Sequence, residues 1–255
     1  MRAIILSAGQ GSRLLPHTAD RPKCLVPIGR RSFIEWQLRQ LEAGGVTDIV
    51  VVTGFRAAMV DTELARLGKS GLAVRSIYNP FFNVADNLGS CWLARGEMDR
   101  DFIILNGDTL FESAVLARLL ENARAPVTVT VDRKPRYDAD DMKVRLEGDR
   151  VLDIGKTLPP EHSQAESIGL LLFRGEGARA FADAVDAAMR TPEGLKWWYL
   201  RTVAALAGRG IVSSCSIEGL EWGEMDYPQD LERLQGLTEG WVKAGRVAPR
   251  LCRED

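Results

Sequence analysis

The residues most suited to chemistry stand in three places. Near the start, the apolar run Ala3–Leu6 leads into Ser7, Ala8, Gly9, Gln10, Gly11, Ser12 and Arg13, and Lys23 follows between Pro22 and Pro27. In an open α/β sheet, ligands bind at the carboxyl ends of the strands, and small residues there let backbone N–H groups approach phosphate oxygens. A Gly-x-Gly alone is weak. The dinucleotide fingerprint needs a third glycine and a later acidic residue, and the Walker-type loop needs Gly-Lys-Ser/Thr; here Arg13 and Pro16 follow instead. Arg13 and Lys23 put two cations on one long loop, which suits an anionic ligand, although solvated loop cations would look the same. The second place is Asp108, at the end of the apolar run Phe102–Leu105, and the third is Asp226 in Trp222-Gly223-Glu224-Met225-Asp226-Tyr227-Pro228. A hard cation such as Mg²⁺ takes carboxylate oxygens and shares its shell with phosphates, so two aspartates on one Mg²⁺ would bridge a phosphate and an attacking oxygen. Glu224 is the alternative to Asp226. Aspartate is also a favoured helix cap, and that plainer use stays open for both.

These residues need a frame. Apolar runs at Ala3–Leu6, Asp48–Thr53, Ala73–Ile77 and Phe102–Leu105 alternate with helical windows at Phe33–Ala43 and Ala57–Leu67. The rhythm predicts βαβ units on a mostly parallel sheet buried on both faces. Beyond Val127, strand-like segments at Val127–Asp132, Lys143–Glu147, Arg150–Ile154 and Ser167–Phe173 are joined by turns, so the sheet is expected to become mixed. Helices follow at Glu176–Met189 and Lys196–Ala207, then a strand at Ile211–Ser216 and a helix at Pro228–Leu237. The expected organisation is one α/β domain over 1–237, with halves at 1–126 and 127–237, and a short helix or tail over 238–255. The 255 residues are 45% hydrophobic and 27% charged, with 33 basic against 35 acidic side chains, so no excess of positive charge points to a nucleic-acid partner. No run is long and apolar enough for a membrane helix, Met1 leads straight into a strand, and a cytoplasmic protein is expected. Cys24, Cys91, Cys215 and Cys252 lack metal or disulfide spacing and read as packing residues.

The run Leu6-Ser7-Ala8-Gly9-Gln10-Gly11-Ser12-Arg13-Leu14, with Pro16, Thr18, Pro22, Lys23 and Pro27, resembles the signature of the nucleotidyltransferases that make activated sugars and alcohols. The resemblance implies a Rossmann-like three-layer domain. It implies that Leu6, Ala8, Gly9, Gly11, Ser12 and Arg13 bind the nucleotide, that Lys23 neutralises charge near the reacting phosphate, and that Asp108 is the metal aspartate and faces the nucleotide. A similar aspartate before a terminal helix favours Asp226 over Glu224. Asp86-Asn87-Leu88-Gly89-Ser90-Cys91-Trp92-Leu93-Ala94 and Glu224-Met225-Asp226-Tyr227-Pro228-Gln229-Asp230-Leu231 resemble the phosphocholine cytidylyltransferase branch. The implied reaction joins the nucleoside monophosphate of CTP, or of another NTP, to a small phosphorylated acceptor with Mg²⁺ as cofactor and pyrophosphate as leaving group.

Such chemistry brings two anions together and needs positioning and charge neutralisation rather than a protein nucleophile. Arg13 and Lys23 are two of the expected cations, and Lys156, in Ile154-Gly155-Lys156 where the preceding strand ends at a glycine, is the third, with Lys143 and Arg133 as alternatives. Asn87 and Ser90, in the loop from Asn83 to Ser90, are expected to select the base. A quaternary ammonium acceptor would want aromatic faces and a carboxylate. Trp197, Trp198 and Tyr199 are candidates for the faces, of which at most two can share a pocket if all lie on one helix, and Glu166 for the charge. Sugar 1-phosphates or inositol phosphates with UTP, dTTP or CTP form one competing expectation, and a nucleotide sensor without turnover another. A homo-oligomer stays open.

Overall fold

The computed structural model describes residues 1–69 and 73–247. In chain order the elements are β1 (Arg2–Ser7), β2 (Pro27–Ile28), β3 (Arg31–Ser32), α1 (Phe33–Ala43), β4 (Asp48–Thr53), α2 (Ala57–Lys69), β5 (Val74–Tyr78), α3 (Asn87–Leu93), β6 (Phe102–Asn106) and β7 (Thr109–Phe111). They continue as α4 (Ser113–Asn122), β8 (Val127–Asp132), β9 (Lys143–Glu147), β10 (Arg150–Gly155), β11 (Ala165–Phe173), α5 (Glu176–Met189), α6 (Leu200–Ala207), β12 (Val212–Ser216), β13 (Trp222–Glu224) and α7 (Pro228–Lys243). The α/β class is as expected. Among the described residues no helix is long and apolar enough to cross a membrane.

The contacts divide the chain into two compact units, and the division is not the expected one near residue 126. The first unit comprises Met1–Asn83, Leu105–Ala117 and the chain from Leu220 onward; the second comprises Val84–Ile104 and Arg118–Gly219. The chain therefore enters the first unit three times, because segments far apart in sequence complete one core.

In the first unit β5, β4 and β1 lie side by side and parallel, with Arg2 opposite Asp48, Ser7 opposite Thr53 and Thr53 opposite Tyr78. The strands β1 and β4 are buried nearly throughout, which is why they read as continuous apolar runs. At their amino ends Asp48 accepts from Arg2 at 2.9 Å and from Arg75 at 2.7 Å, pinning the register. Helix α1 starts where Ser32 accepts from the N–H of Glu35 at 3.4 Å and stops at Gly44, in agreement with its sequence window. Leu14, Val26, Ile28, Phe33, Trp36, Leu110, Met225, Leu234, Trp241 and Val247 form one apolar cluster. The last helix runs to Lys243 rather than stopping at Leu237, because Thr238 and Trp241 are buried and Trp241 donates to Glu221 at 2.9 Å. The tail beyond Val247, with Cys252, lies outside the described residues.

The second unit is mixed, as its turn-rich sequence predicts. Strands β8 and β12 are parallel, whereas β11 runs antiparallel to β8 and to β9, and β9 and β10 form an antiparallel hairpin. Its core includes Phe102 stacked on Phe173 at 4.7 Å, with Phe181 at 4.4 Å from Phe173. Cys24, Cys91 and Cys215 are free and buried, as packing residues would be; burial pushes the Cys24 thiol up to about 12.

Candidate active site

The first unit gathers Arg13, Lys23, Asp108 and Asp226 into one cluster. Lys23 Nζ donates to Asp108 Oδ2 at 3.0 Å and to Asp226 Oδ1 at 2.9 Å. Arg13 Nη2 lies 2.9 Å from the same Asp226 oxygen, and its Nη1 donates to the Tyr227 hydroxyl at 3.2 Å while the guanidinium stands 5.0 Å from that ring. Two cations thus face two carboxylates. Burial disfavours the Lys23 ammonium, but the carboxylates of Asp108 and Asp226 outweigh it and hold the group above the ordinary lysine value.

Short local structures set these positions. Gly11 sits at φ +75° before the turn Ser12–Leu14, and its carbonyl accepts from Thr18 at 2.8 Å. A Cβ on Gly11 would come within 2.9 Å of Lys23 Cβ, so the glycine is needed both for its left-handed backbone and for the close passage of the lysine. Leu6 and Ala8 are part of, or just beyond, β1, and Gly9 and Ser12 are exposed on the loop that follows. This is the loop position expected for phosphate contact.

Asp108 lies in the turn between β6 and β7, and α4 begins only at Ser113, so the aspartate is no helix cap. Gly107 donates its N–H to the Leu6 carbonyl at 3.0 Å, and a Cβ there would collide with that carbonyl. Two buried amides from α1 hold the turn from below. Gln37 Nε2 donates to the carbonyls of Asn106 at 2.8 Å and Thr109 at 2.9 Å, and Gln40 Nε2 donates to that of Phe111 at 3.1 Å. The sequence signal for these two glutamines is slight: a polar side chain among the buried residues of α1.

Asp226 reaches Asp108 through a ladder of two three-residue strands, too short to stand out in the sequence. Strands β7 and β13 pair antiparallel, with Thr109 opposite Glu224 and Phe111 opposite Trp222, and the N–H of Met225 donates to the carbonyl of Asp108 itself at 3.0 Å. Nor does Asp226 cap α7. That task falls to Asp230, which accepts from the N–H groups of Asp226 and Tyr227, both at 2.8 Å. The Asp226 carboxylate is left to the cations.

The chain belongs to the nucleotidyl transferase family. The family model matches residues 2–141, more than half of the sequence. A bifunctional IPC transferase and DIPP synthase of Rubrobacter xylanophilus is 32% identical over 251 residues, covering 97% of this chain but only 54% of that protein, so the chain spans about half the length of that curated relative. A CTP:phosphoglutamine cytidylyltransferase of Campylobacter jejuni is 26% identical over 256 residues, covering 91% of this chain and 98% of that one. Among solved structures, the CTP:phosphocholine cytidylyltransferase of Streptococcus pneumoniae shares the fold, with a TM-score of 0.74, 23% identity and coverage of 92% of this chain and 98% of that one.

The other expected site residues of this family member lie in the second unit, and several are otherwise engaged. Asn87 and Ser90 are not on a loop but on α3. The Asn87 carbonyl oxygen accepts from the backbone N–H of Tyr199 at 2.9 Å, and Ser90 is buried. The backbone of Asp86 and Leu88 likewise donates to the carbonyls of Leu195 and Trp197, so this segment ties α3 to the chain before α6. Base selection by these two side chains therefore competes with their structural use. Helix α6 begins at Leu200, after the aromatic run, and Trp197 is extended at φ −99°, ψ 143°. Tyr199 is fully buried and meets Phe181 edge-on at 6.3 Å, which removes it as a face for an acceptor. Trp198 is exposed with Lys156 Nζ over its ring at 4.8 Å, and Arg201 stacks on Trp197 at 4.0 Å. Lys156 also lies 3.9 Å from Asp140. Lys143, an alternative cation, is buried with its Nζ on the carbonyls of Asp138 and Asp141 at 2.7 and 3.3 Å, a structural role. Glu166 is paired with Lys134 at 3.0 Å, and Lys134 with Asp141 at 2.7 Å. Burial pushes the Glu166 carboxyl up to about 7, against the opposing pull of Lys134.

Proposed function

We propose that the chain is a Mg²⁺-dependent cytidylyltransferase that transfers CMP from CTP to a small phosphorylated acceptor, phosphocholine or a related phospho-alcohol. The observation that carries the reading is the convergence of Lys23, Arg13, Asp108 and Asp226, a set suited to phosphoryl transfer between anions. In the reaction an acceptor phosphate oxygen bonds to the α-phosphorus of CTP as the bond to the leaving pyrophosphate breaks. The chain's part is to hold the polyphosphate on the loop from Gly9 to Arg13 and to set Lys23 beside the reacting phosphate.

The donor set fits a divalent metal: two carboxylates already converge on a single positive charge, and both offer the hard oxygens that Mg²⁺ prefers. Asp108 and Asp226 would hold it, and it would supply charge neutralisation at the α-phosphate. CTP is favoured by the likeness to the CTP:phosphoglutamine cytidylyltransferase of Campylobacter jejuni. Lys156 and Trp198 stay the candidates for contact with the acceptor.

A sugar 1-phosphate or inositol phosphate acceptor is the second reading, and one observation favours it. Trp197 and Trp198 already carry Arg201 and Lys156 on their faces and Tyr199 is in the core, so the aromatic residues do not form a ready cage for an ammonium group. Pyrophosphate release should be measured with CTP, UTP, dTTP and GTP against phosphocholine, phosphoethanolamine, an inositol phosphate and glucose 1-phosphate. The first reading expects turnover only with CTP and an amino-alcohol phosphate. Turnover of glucose 1-phosphate with UTP or dTTP, and none with CTP and phosphocholine, would overturn it in favour of the second.

A further inference from the structure

Asp108 and Asp226 are held close by backbone, through the β7–β13 ladder and the bond from Met225 N–H to the Asp108 carbonyl, whatever cation is present. Two carboxylates so placed repel each other unless a positive charge sits between them. A single nitrogen, Lys23 Nζ, meets both. Its side chain is directed there rather than wandering: it is only 14% exposed, and its carbons pack within 2.9–3.2 Å of where a Gly11 Cβ would stand. Arg13 supplies a second charge to Asp226 and rests on Tyr227.

We propose that Lys23 is the resident cation of the Asp108–Asp226 pair, and that the pair accepts a divalent metal only as Lys23 moves from the carboxylates to the nucleotide's phosphates. The inference rests on the metal assignment above and adds an order to it. Mg²⁺ bonds carboxylate oxygens at about 2.0–2.1 Å, so an ion between the two carboxylates would bring its two charges against the Lys23 ammonium, and the two cations compete for the same negative charge. Were Lys23 and Arg13 to stay while the ion entered, four positive charges would face two negative ones. The polyphosphate resolves this, because its own negative charge gives both side chains a new partner. Metal and nucleotide then bind in a mutually dependent way, and neither is favoured alone.

The test uses the full chain and Mn²⁺ alone, without nucleotide, following free Mn²⁺ by its EPR signal. Lys23→Met should bind Mn²⁺ at least about tenfold more tightly than the parent protein, since the competing charge is gone. Lys23→Arg, which keeps the charge, should bind as weakly as the parent. Arg13→Met should show a smaller gain. If Lys23→Met folds poorly, Lys23→Gln removes the charge with a shorter polar side chain, and the same gain should appear as a larger rise in Tm on adding Mn²⁺ than the parent shows. Equal Mn²⁺ affinity in the parent and in Lys23→Met, lost from both on Asp108→Asn, would leave the metal site standing and overturn the resident-cation inference. Mn²⁺ binding that is unaffected by Asp108→Asn in either background would overturn the metal assignment and the inference with it.

Discussion

Gly11→Ala is expected to damage the site through Lys23 rather than through the phosphate loop alone. At φ +75° an alanine pays a left-handed backbone cost of about 1–2 kcal/mol. Its Cβ would also lie 2.9 Å from Lys23 Cβ, 3.1 Å from Cδ and 3.2 Å from Cγ. The nearest of these atoms is the root of the lysine side chain, fixed by the turn Lys23–Leu25, so relief requires the backbone to give; this adds about 1 kcal/mol. The sum of about 2–3 kcal/mol corresponds to a Tm lower by roughly 4–12 °C in a chain of this size. Activity should suffer separately. A shift of a few tenths of an ångström at the root moves Nζ off carboxylates now at 2.9 and 3.0 Å, and kcat/KM for CTP should fall by about 10- to 100-fold. The two effects separate in a double-mutant cycle with Lys23→Met, which keeps the Cβ but not the charge. In that background Gly11→Ala should still lower Tm by a similar amount, yet should change kcat/KM by less than about threefold. An undiminished activity loss in the Lys23→Met background would refute the route through Lys23.

Asp108→Ala should lower kcat by at least about 10²-fold with little change in fold, and near-normal Mg²⁺-dependent turnover would remove Asp108 from the mechanism. Gln37→Leu leaves the buried carbonyls of Asn106 and Thr109 without that donor and should cost about 1–3 kcal/mol in denaturant unfolding; an unchanged midpoint would mean that the turn holds itself. Glu166, with its folded value raised to about 7, binds its proton more tightly folded than unfolded, so its contribution is fully present below about pH 4.5 and is lost as pH rises towards and through 7. Tm should therefore fall between pH 5 and pH 8 by more in the parent than in Glu166→Gln, and parallel Tm profiles for the two proteins would show that Glu166 does not titrate in this range.

What could be read in advance follows from how local each determinant is. The strands β1, β4 and β6 carry apolar runs that no neighbour needs to explain, and α1 announces itself with Ser32, Glu35 and Gly44. The helix α3 looks like a loop in sequence because its start, Asp86-Asn87, is turn-like, and its order comes from bonds to residues 195–199. The strands β7 and β13 are three residues each, and only their pairing with each other makes them strands. The same division runs through the site. Lys23, Asp108 and Asp226 were legible because charged groups at strand ends and loops stand out from their surroundings. Tyr227, Gln37 and Gln40 were not, since each acts through a partner remote in sequence. Tyr199 misled for the opposite reason: an aromatic beside two tryptophans looks like a binding surface until its burial is known.

The ladder between β7 and β13 also has a meaning for the making of the protein. Lys23 precedes Asp108 by 85 positions and Asp226 by 203, so a ribosome releases the three members of the cluster at widely separated moments. Until the segment from Leu220 onward has emerged, Lys23 has one carboxylate rather than two, and the apolar cluster lacks Met225, Leu234, Trp241 and Val247. Closing so long a loop costs conformational entropy that only the finished core returns. A product cut short before Asp226 would carry the loop from Gly9 to Arg13 and the first aspartate, yet neither the final helix nor the full charge constellation.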